Sequence, residues 1–241
     1  MESPRPSSDA GERLPLRERK KLRTREALVD TALRLFSERG FQSVTLDELC
    51  DAVDTSKRTF FRHFTSKEDV AMAPLHDLWR AFLVDLEHRH EPAGGPLLVM
   101  LQEAVLASLD GMTAADWSER VRLNRQLAAR TPSMEAHGLR FCQDTSRAAV
   151  DVLQRRFGLA GGEDLRPRLV MEVLVAAWHC ALDVWAAQPD APTREALAGC
   201  FRDACAALPE CLTMGADVGA GAGAGAGVVA GAEAGGAASQ A

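Results

Sequence analysis

The chain has 241 residues, of which 46% are hydrophobic and 26% charged, with a formal net charge of −6. That is ordinary globular composition. No bulky apolar run approaches the ~18 residues of a membrane span, and the N-terminus (MESPRPSSDAGERLPLRERKK) has no apolar signal-peptide core. A membrane protein is therefore excluded, secretion is not expected, and a cytoplasmic location is. Six widely spaced cysteines, none in a C-x-x-C pair, read as reduced thiols, not as a disulfide frame or zinc cage.

Charge is distributed unevenly. Residues 1–67 carry 14 Lys and Arg against 11 Asp and Glu, while the remainder carries 14 against 23. All four lysines (Lys20, Lys21, Lys57, Lys67) lie in the first part. A basic head on an acidic body predicts that only the head meets a polyanion.

In chain order, residues 1–16 hold three prolines and no apolar period, which predicts a disordered arm. From Arg17 the pattern is helical: Leu28, Ala32, Leu35 and Phe36 share one face, and Gly40 closes the helix. Thr45-Leu-Asp-Glu48 is a capping box, in which the Thr hydroxyl accepts from a free backbone N–H and Glu48 reaches back. A short helix follows, broken at Asp54-Thr55, and a third is expected from about Ser56 to His63. Ser66-Lys-Glu-Asp69 opens a long fourth helix to about His90, with Pro74 inside it. Beyond the break at Pro92–Pro96, helices are expected over Leu97–Leu109, from an N-cap at Thr113 to Arg130, over Pro132–Phe157, Leu165–Ala187 and Thr193–Leu208. The Gly161–Asp164 stretch is a loop. Residues 215–241 contain 9 Gly and 11 Ala and read as an unstructured tail. The fold class is all-α.

Two short helices joined by a tight turn, the second beginning Ser-Lys-Arg-Thr, describe a helix-turn-helix. At about 100° per residue, Phe60 and Phe64 fall on one side of the second helix and Arg58, Thr59 and Arg62 on the other. Any amphipathic helix has a polar face; the dense Lys-Arg-Thr-x-x-Arg-His run between two capped neighbours points instead to DNA.

The stretch from Thr45-Leu-Asp-Glu-Leu49 through Ser56-Lys-Arg-Thr-Phe-Phe-Arg-His-Phe-Thr-Ser-Lys-Glu68 resembles the tetracycline-repressor (TetR) family of bacterial regulators. The likeness covers about residues 17–70. It implies a three-helix DNA-binding unit over 17–65, and an all-α ligand-binding and dimerisation domain over 66–210. Residues 211–241 are then the tail. It further implies a homodimer that represses from a palindromic, double-stranded operator and releases it when a small-molecule effector binds. Position by position, Lys57, Arg58 and Thr59 correspond to base-facing residues, with Arg62 beside them on the same polar face. Arg and Lys can reach guanine O6/N7 and the Thr methyl a thymine methyl. Thr45, His63 and Lys67 match positions that hold phosphates. Phe61 stands where the family usually has a Tyr that bonds a phosphate, and the chain contains no Tyr. Asp54 replaces a turn Gly; Asp tolerates left-handed geometry better than most residues. The basic run Arg17, Arg19, Lys20, Lys21, Arg23 and Arg25 either reaches phosphates or a minor groove, or is a solvated helix start.

In the second domain, candidate effector-pocket residues are Trp117, Arg122, Arg125, His137, Phe141, Cys142, Trp178 and His179, each with an alternative as ordinary core or surface. Met171, Leu174, Val175, Trp178, Leu182 and Trp185 repeat along one helix and Leu197, Phe201, Ala204, Cys205 and Leu208 along the next. By resemblance these stripes pair two subunits, Trp178, Leu182, Trp185, Leu197, Phe201 and Leu208 being the expected contacts; the alternative is intramolecular core. No nucleophile elbow, P-loop or zincin motif is present, so an enzyme is not expected. No cofactor and no metal site are assigned, since His88 and His90 lie about 200° apart on a helix. A DNA-binding protein without an effector is the third class.

Overall fold

The computed structural model describes residues 15–89, 95–158 and 164–214, and among these every regular element is an α-helix. The helices are α1 (Leu16–Arg39), α2 (Leu46–Ala52), α3 (Lys57–Phe60), α4 (Lys67–His88), α5 (Leu97–Asp110), α6 (Trp117–Ala128), α7 (Pro132–Phe157), α8 (Arg166–Ala186) and α9 (Arg194–Thr213). The chain divides into a unit of residues 1–206 and a second of residues 207–241. Most of the expected N-terminal arm and Gly/Ala tail, the 161–163 loop and His90 lie outside the described residues. Leu16, placed in the arm, opens α1, and α9 continues past Leu208 to Thr213 despite Pro209.

The head is built as its apolar spacing requires. Leu28, Ala32, Leu35 and Phe36 of α1 are buried, and the chain leaves the helix at Gly40, whose φ of 86° suits glycine. Both halves of the capping box form: Glu48 N–H donates to Thr45 Oγ1 (3.2 Å) and Thr45 N–H to Glu48 Oε2 (2.8 Å). The Thr45 bonds, with Arg39 beside them, hold the Glu48 carboxyl down at about 2, so the box stays ionised at any ordinary pH. Asp54 carries the turn at φ 50°, a left-handed conformation adopted by no other non-glycine among the described residues. Helix α3 is shorter than expected. After Phe60 the chain tightens, with Arg62 N–H to Thr59 O (3.2 Å) and His63 N–H to Phe60 O (2.8 Å), bonds of the three-residue spacing common at helix ends.

Helix α4 is the spine. It starts at Ser66, whose Oγ accepts from Asp69 N–H at 3.1 Å, and every residue from Asp69 to His76 is buried. It packs against α1, α5, α6 and α7. Trp117 does not line the cavity between α4, α6, α7 and α8. It is 4% exposed at the start of α6, and its Nε1–H donates to Pro74 O at 3.2 Å. Nor is Thr113 an N-cap: α6 begins at Trp117, and Asp116 holds the N-cap position after a turn at 115–116. Helix α8, contrary to expectation, is long and apolar enough to cross a membrane, with a mean hydropathy of 1.5 over its most apolar window. It passes that test because it is apolar on two sides. Met171, Leu174, Trp178, Leu182 and Trp185 are buried, where α8 packs against α5 and α7, while Leu169 and Val184 are exposed.

Candidate functional site

Two regions carry chemistry. The first is the outer face of α2 and α3. Phe60 (0% exposed) and Phe64 (3%) are buried in one core with Phe36, Leu49 and Val70, which fixes the orientation of α3. Arg58 and Arg62 are exposed, and among the described residues neither guanidinium has a hydrogen bond or ion pair. Lys57 is exposed and paired with Asp47 of α2 at 2.7 Å, which raises its pKa. Thr59 is half-buried, its hydroxyl 3.1 Å from that of Ser56. Phe61 is 57% exposed and stands edge-on to Phe60 at 5.4 Å. His63 is half-buried; burial depresses its pKa, and the positive charges of Arg25, Lys21 and Arg62 depress it further. Residues of α1 and of the turn after α3 thus build one positive field. Arg25 itself is committed inward, in a two-pronged bond to Asp77 (both 2.8 Å) and over the Phe64 ring.

Lys67 differs from its expected role. Its ammonium donates to the carbonyls of Phe41 (2.7 Å) and Val44 (2.6 Å), and lies over the Phe41 ring at 4.6 Å. Burial lowers its pKa. A group held by two carbonyls ties α4 to the loop between α1 and α2, and is not a free phosphate-binding cation. Thr45 is exposed, but its hydroxyl already accepts from Glu48 N–H and donates to Glu48 Oε2.

The second region is a cavity of about 390 Å³ between α4, α6, α7 and α8, within the usual size range of ligand sites. Met72, His76 and Trp79 come from α4, Phe141 and Cys142 from α7, and Trp178 and His179 from α8. Arg125 of α6 reaches Asp183 of α8, both on the wall. Of the expected pocket residues, Arg125, Phe141, Cys142, Trp178 and His179 line this space. Arg122 does not, being paired with Glu119 at 2.6 Å, and His137 lies behind the wall, its ring 5.4 Å from that of His76. Burial lowers the pKa of His179, aided by Arg125 and opposed by Asp183; burial raises that of Cys142.

His76 and Asp69 went unread in the sequence. His76 is 1% exposed, stacks on Phe141 (3.7 Å between centroids), and places Nδ1 3.3 Å from Asp69 Oδ1. Burial works against ionisation of Asp69, but hydrogen bonds from His76 and Thr65 outweigh it and hold the carboxyl well below its ordinary range. The imidazole is pushed down by burial more than Asp69 lifts it. The available signal was spacing: a carboxylate and a histidine seven residues apart lie on one face of an otherwise apolar helix.

The expected dimer contacts also need correction. Trp178, Leu182, Trp185, Leu197 and Phe201 are each 2% exposed or less within a single chain, so they are core and unavailable to a partner. Their packing explains the regular stripe: Trp178 meets Trp79 at 5.7 Å and Phe201 at 5.5 Å, both edge to face. Leu208, half-buried, belongs to the unit that starts at Ala207.

Comparison with known proteins places these features. Residues 28–73 match the profile of bacterial regulatory proteins, tetR family, and residues 95–209 that of the MftR C-terminal domain. The HTH-type transcriptional regulator TcmR of Streptomyces glaucescens is 35% identical over 194 residues, covering 78% of this chain and 84% of that protein. The chain belongs to the TetR family. A second relative, the putative mycofactocin biosynthesis transcriptional regulator MftR of Mycobacterium tuberculosis, is 24% identical over 187 residues, 76% of this chain and 90% of that one. Among solved structures, a TerR/AcrR-family regulator from Aquifex aeolicus aligns over 78% of this chain and 99% of its own with a TM-score of 0.47 and 15% identity. As a TetR-family member the chain is a DNA-binding transcriptional regulator and not an enzyme.

Lys67→Met should cost about 1–3 kcal/mol of folding stability in chemical denaturation, since it deletes charge-assisted bonds and leaves two carbonyls short of a donor. A purely phosphate-binding lysine would leave stability unchanged.

Proposed function

We propose that this TetR-family protein is a cytoplasmic, ligand-released repressor that binds a palindromic operator as a homodimer. The observation that supports it best is the division of labour in the segment 57–64, which is α3 and the turn after it. Phe60 and Phe64 are locked in the core while Arg58 and Arg62 project without partners. In this reading Lys57, Arg58 and Thr59 face bases, and Lys57 exchanges Asp47 for the DNA. That exchange costs little, because an exposed ion pair is weak. Arg62, His63, Phe61 and the hydroxyl end of Thr45 border phosphates, with Lys21 of α1 adding charge. Residues 17–65 form the reading head and 66–210 the effector and dimerisation domain.

The effector enters the 390 Å³ cavity, where aromatic walls supply contact area and Arg125, Asp183 and His179 supply polarity. Helix α4 is both a wall of that cavity and a core element of the head, so a ligand that favours one position of α4 favours one spacing of the two heads. For dimerisation the stripe left over on α8 is the candidate: Leu169, Val173, Ala176, Cys180 and Val184 recur at three- and four-residue intervals on its less buried side. Leu169 is 58% and Val184 61% exposed, which is unusual for apolar side chains on a core helix.

Selection from random-sequence duplexes should enrich an inverted repeat; failure to enrich any sequence would sink the operator reading. With that site in hand, Arg58→Ala should lose about 1–3 kcal/mol of binding and relax preference at one base position per half-site. The intact protein should scatter light as a dimer at micromolar concentration, and Val184→Asp should shift it to monomer. A monomeric parent protein rules the symmetric arrangement out.

The pH dependence has a defined sign. In the free protein His63 sits below its ordinary value near 6.5, and a phosphate beside it would raise it. DNA then binds the protonated form better, so operator affinity should rise as pH falls from 7.5 towards 6. His63→Gln should flatten that slope; an identical slope in the variant assigns it elsewhere.

A further inference from the structure

The joint between the head and the cavity holds a cluster that lies apart from the DNA-facing side chains and of which His76 alone lines the cavity. Asp69 and His76, two turns apart on α4, meet His137 of α7, and one potential ligating atom from each lies within 4.8 Å of the others. Asp69 and His76 are buried and His137 is half-buried. We propose that these three side chains bind a divalent transition-metal ion of the zinc class, with one coordination position open toward the cavity that His76 lines.

Four observations carry this. The contact between Asp69 Oδ1 and His76 Nδ1 is 3.3 Å, longer than the ~2.7–2.9 Å typical of a charge-assisted N–H···O bond. It is close to the ~3.4 Å that separates two ligands of a tetrahedral ion with bonds of about 2.1 Å. The carboxylate is already oriented: Thr65 N–H (2.9 Å) and its hydroxyl (3.1 Å) occupy Oδ2 and leave Oδ1 for an ion, the kind of outer-shell support that ligating carboxylates have. The His76 ring is held by stacking on Phe141, which fixes the direction in which Nδ1 points. Finally, among the described residues Asp69 has no Lys or Arg ion pair. Other charges around the cluster are Glu68 on the same turn of α4 and Arg80, whose guanidinium lies over Phe141 at 5.7 Å.

Two imidazoles and one carboxylate select zinc, cobalt or nickel over magnesium and calcium, which take oxygen ligands. A drawn-in His137 closes the remaining gap. It is half-buried on α7, so a movement of about an ångström does not disturb the core. The three-ligand set is of the open kind that leaves a fourth position for water or another donor.

The test uses untagged full-length protein without DNA, so its failure leaves the operator reading intact. Zinc is titrated calorimetrically against a competing chelator, and cobalt is followed by absorption. One ion should bind per chain, magnesium should not compete, and the cobalt spectrum should show a tetrahedral nitrogen and oxygen site without a thiolate charge-transfer band. His76→Gln and His137→Ala should each weaken zinc binding tenfold or more. His137→Ala removes only a half-buried ring and decides the matter if the other variant fails to fold. No binding, an affinity unchanged in His137→Ala, or a thiolate band from the cysteines would each overturn the assignment.

Discussion

The first turns of α4 have no solvent side, and the rest of the molecule is organised around that fact. From Asp69 to His76 every side chain is enclosed, so α1, α6 and α7 must each present a complementary surface to one short stretch of helix. The core of the head is consequently not self-contained: Leu127 of α6 and Met134 of α7 lie in the same apolar cluster as Phe36, Phe60 and Phe64. Close packing of this kind transmits displacement, since interiors at crystal-like density have little room to absorb it. Polar groups inside it are few and individually tethered. Asn124, fully buried, donates to Ala71 O at 2.8 Å and contacts Met72 Sδ at 3.0 Å, both on α4.

The same constraint explains which cations are available to DNA. Arg25 and Lys67 lie nearest the spine and are consumed by it, one by Asp77 and the other by two backbone carbonyls. Arg120 likewise bridges Asp30 of α1 and Asp116. In the head, by contrast, the guanidinium groups of Arg58 and Arg62 point away from the core and have no ion pair among the described residues. Asp47 beside Lys57 and Asp54 in the turn temper that charge, so the positive field of this face is local to a few side chains.

Local rules were legible in the sequence and tertiary ones were not. The capping box at Thr45, the left-handed Asp54, the burial of Phe60 and Phe64 and the span of α7 all follow from neighbours within a few residues, and the structure has them as expected. The end of α3 and the start of α6 differ because helix termini depend on which backbone groups find partners nearby. Lys67 was assigned a phosphate by family position and Trp117 a pocket wall by residue type; their actual partners, Phe41, Val44 and Pro74, lie 23 to 43 residues away in the chain. The stripes on α8 and α9 were real, but periodicity identifies a packed face without saying whether the packing is within a chain or between chains. With the regular stripe assigned to the core, the side of α8 carrying Leu169 and Val184 remains as the unexplained apolar surface.

The aromatic inventory has an optical consequence. The chain has no Tyr, and its four indoles, at Trp79, Trp117, Trp178 and Trp185, are all shielded from water, with Trp79 and Trp178 in the cavity wall. Ultraviolet emission therefore comes from tryptophan alone and starts from an apolar environment. A molecule lodged among these rings sits against half of the fluorophores, which makes the native protein its own spectroscopic reporter of occupancy.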